Sequence, residues 1–132
     1  MHKINLEKVI QATPTAIWQL MTQPENDHWR SNVSAVTRNT DGSYAEMDAT
    51  TGWPMTYTVV DQIPGQRLAL KLDHVDGKGS RLFILAALGE QTTRVSLDED
   101  FTSHLDSATQ QLLQVFLKQQ AQTYLDDLTR VL

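Results

Sequence analysis

The stretch RVSLDEDF, Arg94 to Phe101, sets three carboxylates in a row: Asp98, Glu99 and Asp100. Grouped acids can do acid–base work if burial or a like charge raises one pKa towards neutrality. They sit in an alternating apolar pattern, and strand side chains alternate between faces. Asp98 and Asp100 then share a face with Arg94 and Ser96, while Glu99 falls in with Val95, Leu97 and Phe101. Glu99 is therefore the acid to explain: an inward charge must be paired or neutralised, because an unpaired buried carboxylate costs several kcal/mol. A bulge that turns Glu99 out to solvent is the plainer alternative. His74 is the second candidate. It ends a run whose same-face neighbours are Leu68, Leu70 and Leu72. Inside a cavity it would donate a hydrogen bond or act as a base near neutral pH; at a strand end, a solvated rim position is the simpler expectation. Tyr57 completes the available catalytic set of His74, Glu99 and Tyr57.

Other chemistries find no support. The chain has no cysteine, which removes disulfides, thiolate metal sites and cysteine nucleophiles. His2, His28, His74 and His104 are scattered without ligand spacing, so no metal is expected. GKGS lacks the preceding glycine of a phosphate loop, and no G-x-S-x-G elbow exists for a hydrolase triad. No cofactor is implied.

The residues must be positioned by one domain, since 132 residues suffice for a single core without staples. The net charge of −5 argues against nucleic acid and anionic membrane surfaces as partners. MHKINLEKVI lacks the apolar centre of a signal peptide, and no apolar run could span a bilayer. A cytoplasmic protein without stable membrane insertion is the resulting expectation.

Alternation of Ile4, Leu6 and Ile10 predicts a strand over about 2–11. Thr13 before Pro14 is a helix start, and Pro24 repeats the grammar, predicting short helices over 14–21 and 24–30. Turn signals at Asp41-Gly42, Thr51-Gly52, Pro64-Gly65 and Asp76 to Gly79 divide six strands, roughly 33–39, 43–50, 53–62, 66–75, 80–89 and 92–102. Short connections at this spacing argue for an antiparallel meander. RLFILAAL is apolar on both parities, so alternation does not assign its inward face. A long helix follows over about 104–131, with Ser103 and Asp106 spaced as a capping box. Leu105, Leu112, Leu113, Phe116, Leu117, Tyr124, Leu128 and Val131 fall in its apolar arc, and Gln120 is the polar exception.

The order of elements is that of the helix-grip α+β fold, and the residues add to it. VIQATPTAIWQLMTQPENDHWRSNV resembles the opening of the START-like (SRPBCC) superfamily, the Bet v allergen-like fold. The matching positions are Ala12, Ile17 and Trp18, then Gln23, Pro24, Glu25 and Trp29. TTRVSLDEDF and FLKQQAQTYLDDLTRVL resemble its last strand and last helix, and the polyketide cyclase/dehydrase-like group is the nearest likeness. The glycine-rich loop of the allergen-like members is not matched.

The resemblance implies a curved seven-stranded antiparallel sheet gripping the long helix, with a cavity between them. On that model the lining would be drawn from Trp29, Trp53, Met55, Tyr57, Leu70, Leu72, His74, Phe83, Leu97, Phe116 and Gln120. For the aromatics and Met55, ordinary core packing is the competing expectation, and Gln120 would bond a ligand, a buried water or the backbone. The resemblance also places the last strand beside the first, where Lys8 interrupts an inward apolar set. A Lys8–Glu99 pair is the expectation this yields, and such a pair would lower rather than raise the pKa of Glu99. Three functions stay open: a carrier or sensor of a small hydrophobic molecule, a cyclase-, dehydratase- or hydrolase-like enzyme, and a protein-partner module of the chaperone-activator type. The last would show a filled core and an exposed apolar patch.

Overall fold

The computed structural model describes residues 2–132. Strand β1 (His2–Ile10) leads into helix α1 (Pro14–Met21). Strands β2 (Val33–Arg38), β3 (Tyr44–Asp48), β4 (Pro54–Ile63), β5 (Arg67–His74), β6 (Gly77–Gly89) and β7 (Thr92–Ser103) follow, and helix α2 (Ser107–Val131) ends the chain. The strands form one seven-stranded sheet in the order β1-β7-β6-β5-β4-β3-β2, with every neighbouring pair antiparallel. β1 and β2, consecutive in sequence, therefore lie at opposite edges. Irregularities in pairing at Val33/Ala35, Val59/Asp61 and Ala87/Gly89 bend the strands and let the sheet curve over α2.

The helix-grip architecture is as expected, and its inner face follows from period-two burial. Val95, Leu97, Glu99 and Phe101 of β7 point inward, as do Leu68, Leu70 and Leu72 of β5. In β6 the inward set is Arg81, Phe83 and Leu85, which settles the parity that RLFILAAL leaves open. Leu113, Leu117, Ala121, Leu125 and Leu128 of α2 pack against this face.

Three local expectations are corrected. The 24–30 segment is not a helix but a pair of turns, closed by Asn26 N–H to Gln23 O and Arg30 N–H to Asp27 O. A helix this short has too few internal bonds to offset its nucleation, and tertiary partners claim its groups: the Trp29 carbonyl accepts from Arg130 at 2.8 Å. Helix α2 starts at Ser107, not 104, because Asp106 and not Ser103 is its cap, accepting from the Thr109 N–H at 2.9 Å. Leu112, placed in the apolar arc by periodicity, is 73% exposed. By contrast Thr13 caps α1 as expected, accepting from the Ala16 N–H, with Pro14 at the first position.

Candidate ligand-binding cleft

Glu99 points inward and is 3% exposed. Its partner is Arg81 on β6, not Lys8. The Arg81 Nε–H donates to Glu99 Oε1 at 2.7 Å, and Nη2 lies 2.6 Å from the same oxygen in the ion pair. β6 and β7 pair without a break around this site, so no bulge turns the acid outward. Lys8 stands opposite Val95 and reaches Asp126 on α2 at 3.3 Å, at a part-exposed position. Burial alone would loosen the Arg81 proton; the charge of Glu99 outweighs it, and the guanidinium holds its proton more firmly than usual.

A second inner pair had no counterpart in the sequence reading. Arg30, from the turn segment, makes a two-pronged bond to Glu46 of β3 at 2.8 and 3.1 Å. Glu46 sits between Tyr44 and Asp48 on one face, a period-two signal that could have flagged it. Aromatic rings separate and cover the two pairs. The Arg30 guanidinium lies 4.6 Å from the Tyr124 ring centroid, and Arg81 lies 5.3 Å from that of Tyr57. Tyr44 and Tyr57 stack at 5.3 Å, while Trp29 meets Tyr124 edge-on at 5.3 Å. Burial pushes the Tyr57 and Tyr124 hydroxyls well up, so both stay protonated. The charges cancel within each pair. The interior is filled: the crevice bounded by Trp29, Arg30, Leu70 and Phe83 has a volume of about 10 Å³, room for about one water. Leu72 and Leu97 are fully buried in the packed core.

Six of the residues singled out by sequence meet elsewhere. Trp53 just before β4, Met55 and Tyr57 of β4, His74 of β5, and Phe116 and Gln120 of α2 line one crevice together with Val33, Glu46 and Asp48. The closed volume there is again about 10 Å³. It shares Asp48, Phe116 and Gln120 with an adjoining open groove of about 220 Å³, bordered by Asn32, Thr50, Thr51, Gln119 and Thr123. Trp53 is 51% exposed and leans edge-on to His74 at 6.0 Å and to Phe116 at 6.5 Å. Of these rings, Phe116 lines both crevice and groove.

The polar groups of the crevice are mostly committed. Asp48 Oδ2 accepts from the Thr50 and Thr51 N–H groups and the Thr51 hydroxyl, and Oδ1 accepts from Gln120 Nε2 at 3.1 Å. Burial would raise the Asp48 pKa, but these donors hold it below the usual range. His74 keeps a free ring nitrogen. Its side chain is 2% exposed, contrary to a solvated rim position. Nδ1 accepts from the Asp76 N–H at 3.1 Å, whereas Nε2 has no partner. Burial lowers its pKa, with a smaller opposing pull from Asp76. Tyr57 and His74 thus share a crevice, while Glu99 belongs to the separate Arg81 pair. Among the described residues no group of side chains is arranged to hold a metal ion. Among the described residues no helix is long and apolar enough to cross a membrane.

A family model described as polyketide cyclase / dehydrase and lipid transport matches residues 1–132. The chain belongs to this family. No curated protein matches it by sequence. Solved structures of similar fold include the protein XoxI from Bacillus cereus, 12% identical with a TM-score of 0.82, covering 99% of this chain and 95% of that one. An aromatase/cyclase, Zhui, from a Streptomyces is 13% identical with a TM-score of 0.80, covering 96% and 90%. A START superfamily protein from Mycobacterium smegmatis is 14% identical with a TM-score of 0.73, covering 100% of both chains. At such identities the likeness is one of fold.

Proposed function

We propose that this protein binds a small hydrophobic or amphipathic molecule in the cleft between β4, β5 and the first half of α2, as a carrier or sensor. The observation that carries this reading is the convergence of Trp53, Met55, Tyr57, His74, Phe116 and Gln120 on one crevice that shares a wall with an open groove. Apolar and aromatic lining with a few placed polar groups is what such ligands need. Family membership supports a small-molecule role. The ligand lies in the groove and reaches inward as Phe116 and Trp53 swing aside. A general base or acid is harder to supply: Glu99 and Glu46 are each tied to an arginine, and Asp48 already accepts four bonds. Binding is therefore favoured over cyclase, dehydratase or hydrolase chemistry. We further propose that the protein works in the cytoplasm.

One observation favours a second reading, a protein-partner module. The central interior is filled, and Leu112 and Val115 of α2 are 73% and 58% exposed. A thermal-shift screen of small aromatic and fatty compounds decides between the two. A bound compound at a hundred times its Kd should add about 2.7 kcal/mol of stability, and its binding should change Trp53 emission in a variant retaining Trp53 as the single tryptophan. Native mass spectrometry of protein from its own host should show the retained compound. A screen in which nothing raises the melting temperature overturns the cleft reading and leaves the partner module.

A further inference from the structure

Resting on the cleft reading, we propose that the ligand is anchored through an uncharged carbonyl-type oxygen that accepts a hydrogen bond from His74 Nε2–H, and that His74 serves as a fixed donor and not as a base. The tautomer follows from geometry. The Asp76 backbone N–H donates to His74 Nδ1 at 3.1 Å, so Nδ1 presents its lone pair. A neutral imidazole carries one N–H, which must then be on Nε2. Burial keeps the ring neutral near pH 7 by lowering its pKa, with Asp76 opposing weakly.

That N–H is stranded. The side chain is 2% exposed and Nε2 has no partner. A buried donor in this state calls for an acceptor. The crevice does not offer a spare carboxylate: both Glu46 oxygens are taken by Arg30, and both Asp48 oxygens are taken by Gln120, Thr50 and Thr51. A ligand that brings an acceptor would satisfy this donor. The acceptor's charge is also constrained. Asp48 lines the crevice with its charge unmatched by any cation in the salt bridges of the described residues, and Asp76 Oδ2 lies 3.7 Å from His74 Nδ1. A carboxylate would be repelled there, whereas a ketone, aldehyde, ester or amide oxygen would not. The body of the ligand packs on Trp53, Met55 and Phe116.

Acetophenone and α-methylstyrene have nearly the same shape and differ in C=O against C=CH2, and benzoate supplies the charged counterpart. Titration calorimetry on the full chain should give acetophenone about tenfold tighter than α-methylstyrene, the size of one net hydrogen bond. Benzoate should bind more weakly than acetophenone. His74→Leu should erase the preference, and His74→Gln, which keeps an N–H donor, should restore part of it. Equal affinity for acetophenone and α-methylstyrene in the parent protein overturns the acceptor assignment and leaves the cleft reading intact. Binding of neither overturns both. Nitrogen NMR of the free protein gives a test that needs no ligand: protonated Nε2 and bare Nδ1 at His74 are expected, and the reverse tautomer overturns the proposal.

Discussion

Glu99 meets Arg81 through one oxygen, Oε1, and leaves Oε2 without a partner in the core. The pair with Arg81 therefore holds two buried charges in place on few bonds. Arg81→Met should lower stability by about 3–5 kcal/mol, because it strands the carboxylate. Adding Glu99→Gln should recover most of that loss, and urea denaturation of the four proteins gives the coupling. Lys8→Met should cost under about 1 kcal/mol and add independently to Glu99→Gln, as its partner Asp126 is on the surface. Alternation raised the inward turn of Glu99 but left an outward bulge equally open, and the unbroken pairing of β6 and β7 decides it. The partner of Glu99 was not legible, because Arg81 heads a segment that is apolar on both parities, and Arg30 stood in a segment read as helix. The histidines set a pH dependence. Burial lowers His74 and His2 below their unfolded value of 6.5. The unfolded chain then binds more protons in the window from each lowered value up to that 6.5, so stability rises with pH across it and is flat above. Melting temperature should fall as pH drops from about 7 towards 5, and His74→Gln should flatten part of the slope.

At the scale of elements, α2 is fastened at both ends by acids. Asp106 caps its start, and Asp106→Ala should cost about 1 kcal/mol. Near its end Asp127 is 4% exposed and accepts from the Ser31 N–H at 2.7 Å and the Ser31 hydroxyl at 3.0 Å, with Arg130 alongside. Asp127→Ala strands the Ser31 N–H, which should cost about 2 kcal/mol and speed amide exchange at Ser31 and its neighbours. These long-range bonds explain why the 24–30 segment reads as a helix and folds as turns. Its capping grammar is local, but its backbone and side chains are claimed by α2, β2 and β3, including Arg38 to Glu25 at 2.8 Å. Strand periodicity and turn signals are strictly local, so β1 to β7 were readable without such partners.

For the molecule as a whole, the grip architecture could be anticipated because helix and strand patterns and the motif order all point to it. The state of the interior could not. Whether a cavity between sheet and helix is open depends on the volumes of particular rings, and here Tyr44, Tyr57, Phe83 and Tyr124 fill it around two ion pairs. The sequence also grouped Leu72 and Leu97 with the cleft residues, since inward direction alone does not separate core from lining. Only six of the expected lining residues share the crevice beneath Trp53 and Phe116.

The proposed entry past Phe116 and Trp53 has a consequence in time. A ligand can enter only during the fraction of moments when the rings stand aside, and apparent affinity is reduced by that fraction. In stopped-flow mixing, the observed association rate should climb with ligand concentration and then level off at the opening rate. Phe116→Ala, by removing one leaf of the door, should lift that ceiling and tighten apparent binding, even as it weakens the fold.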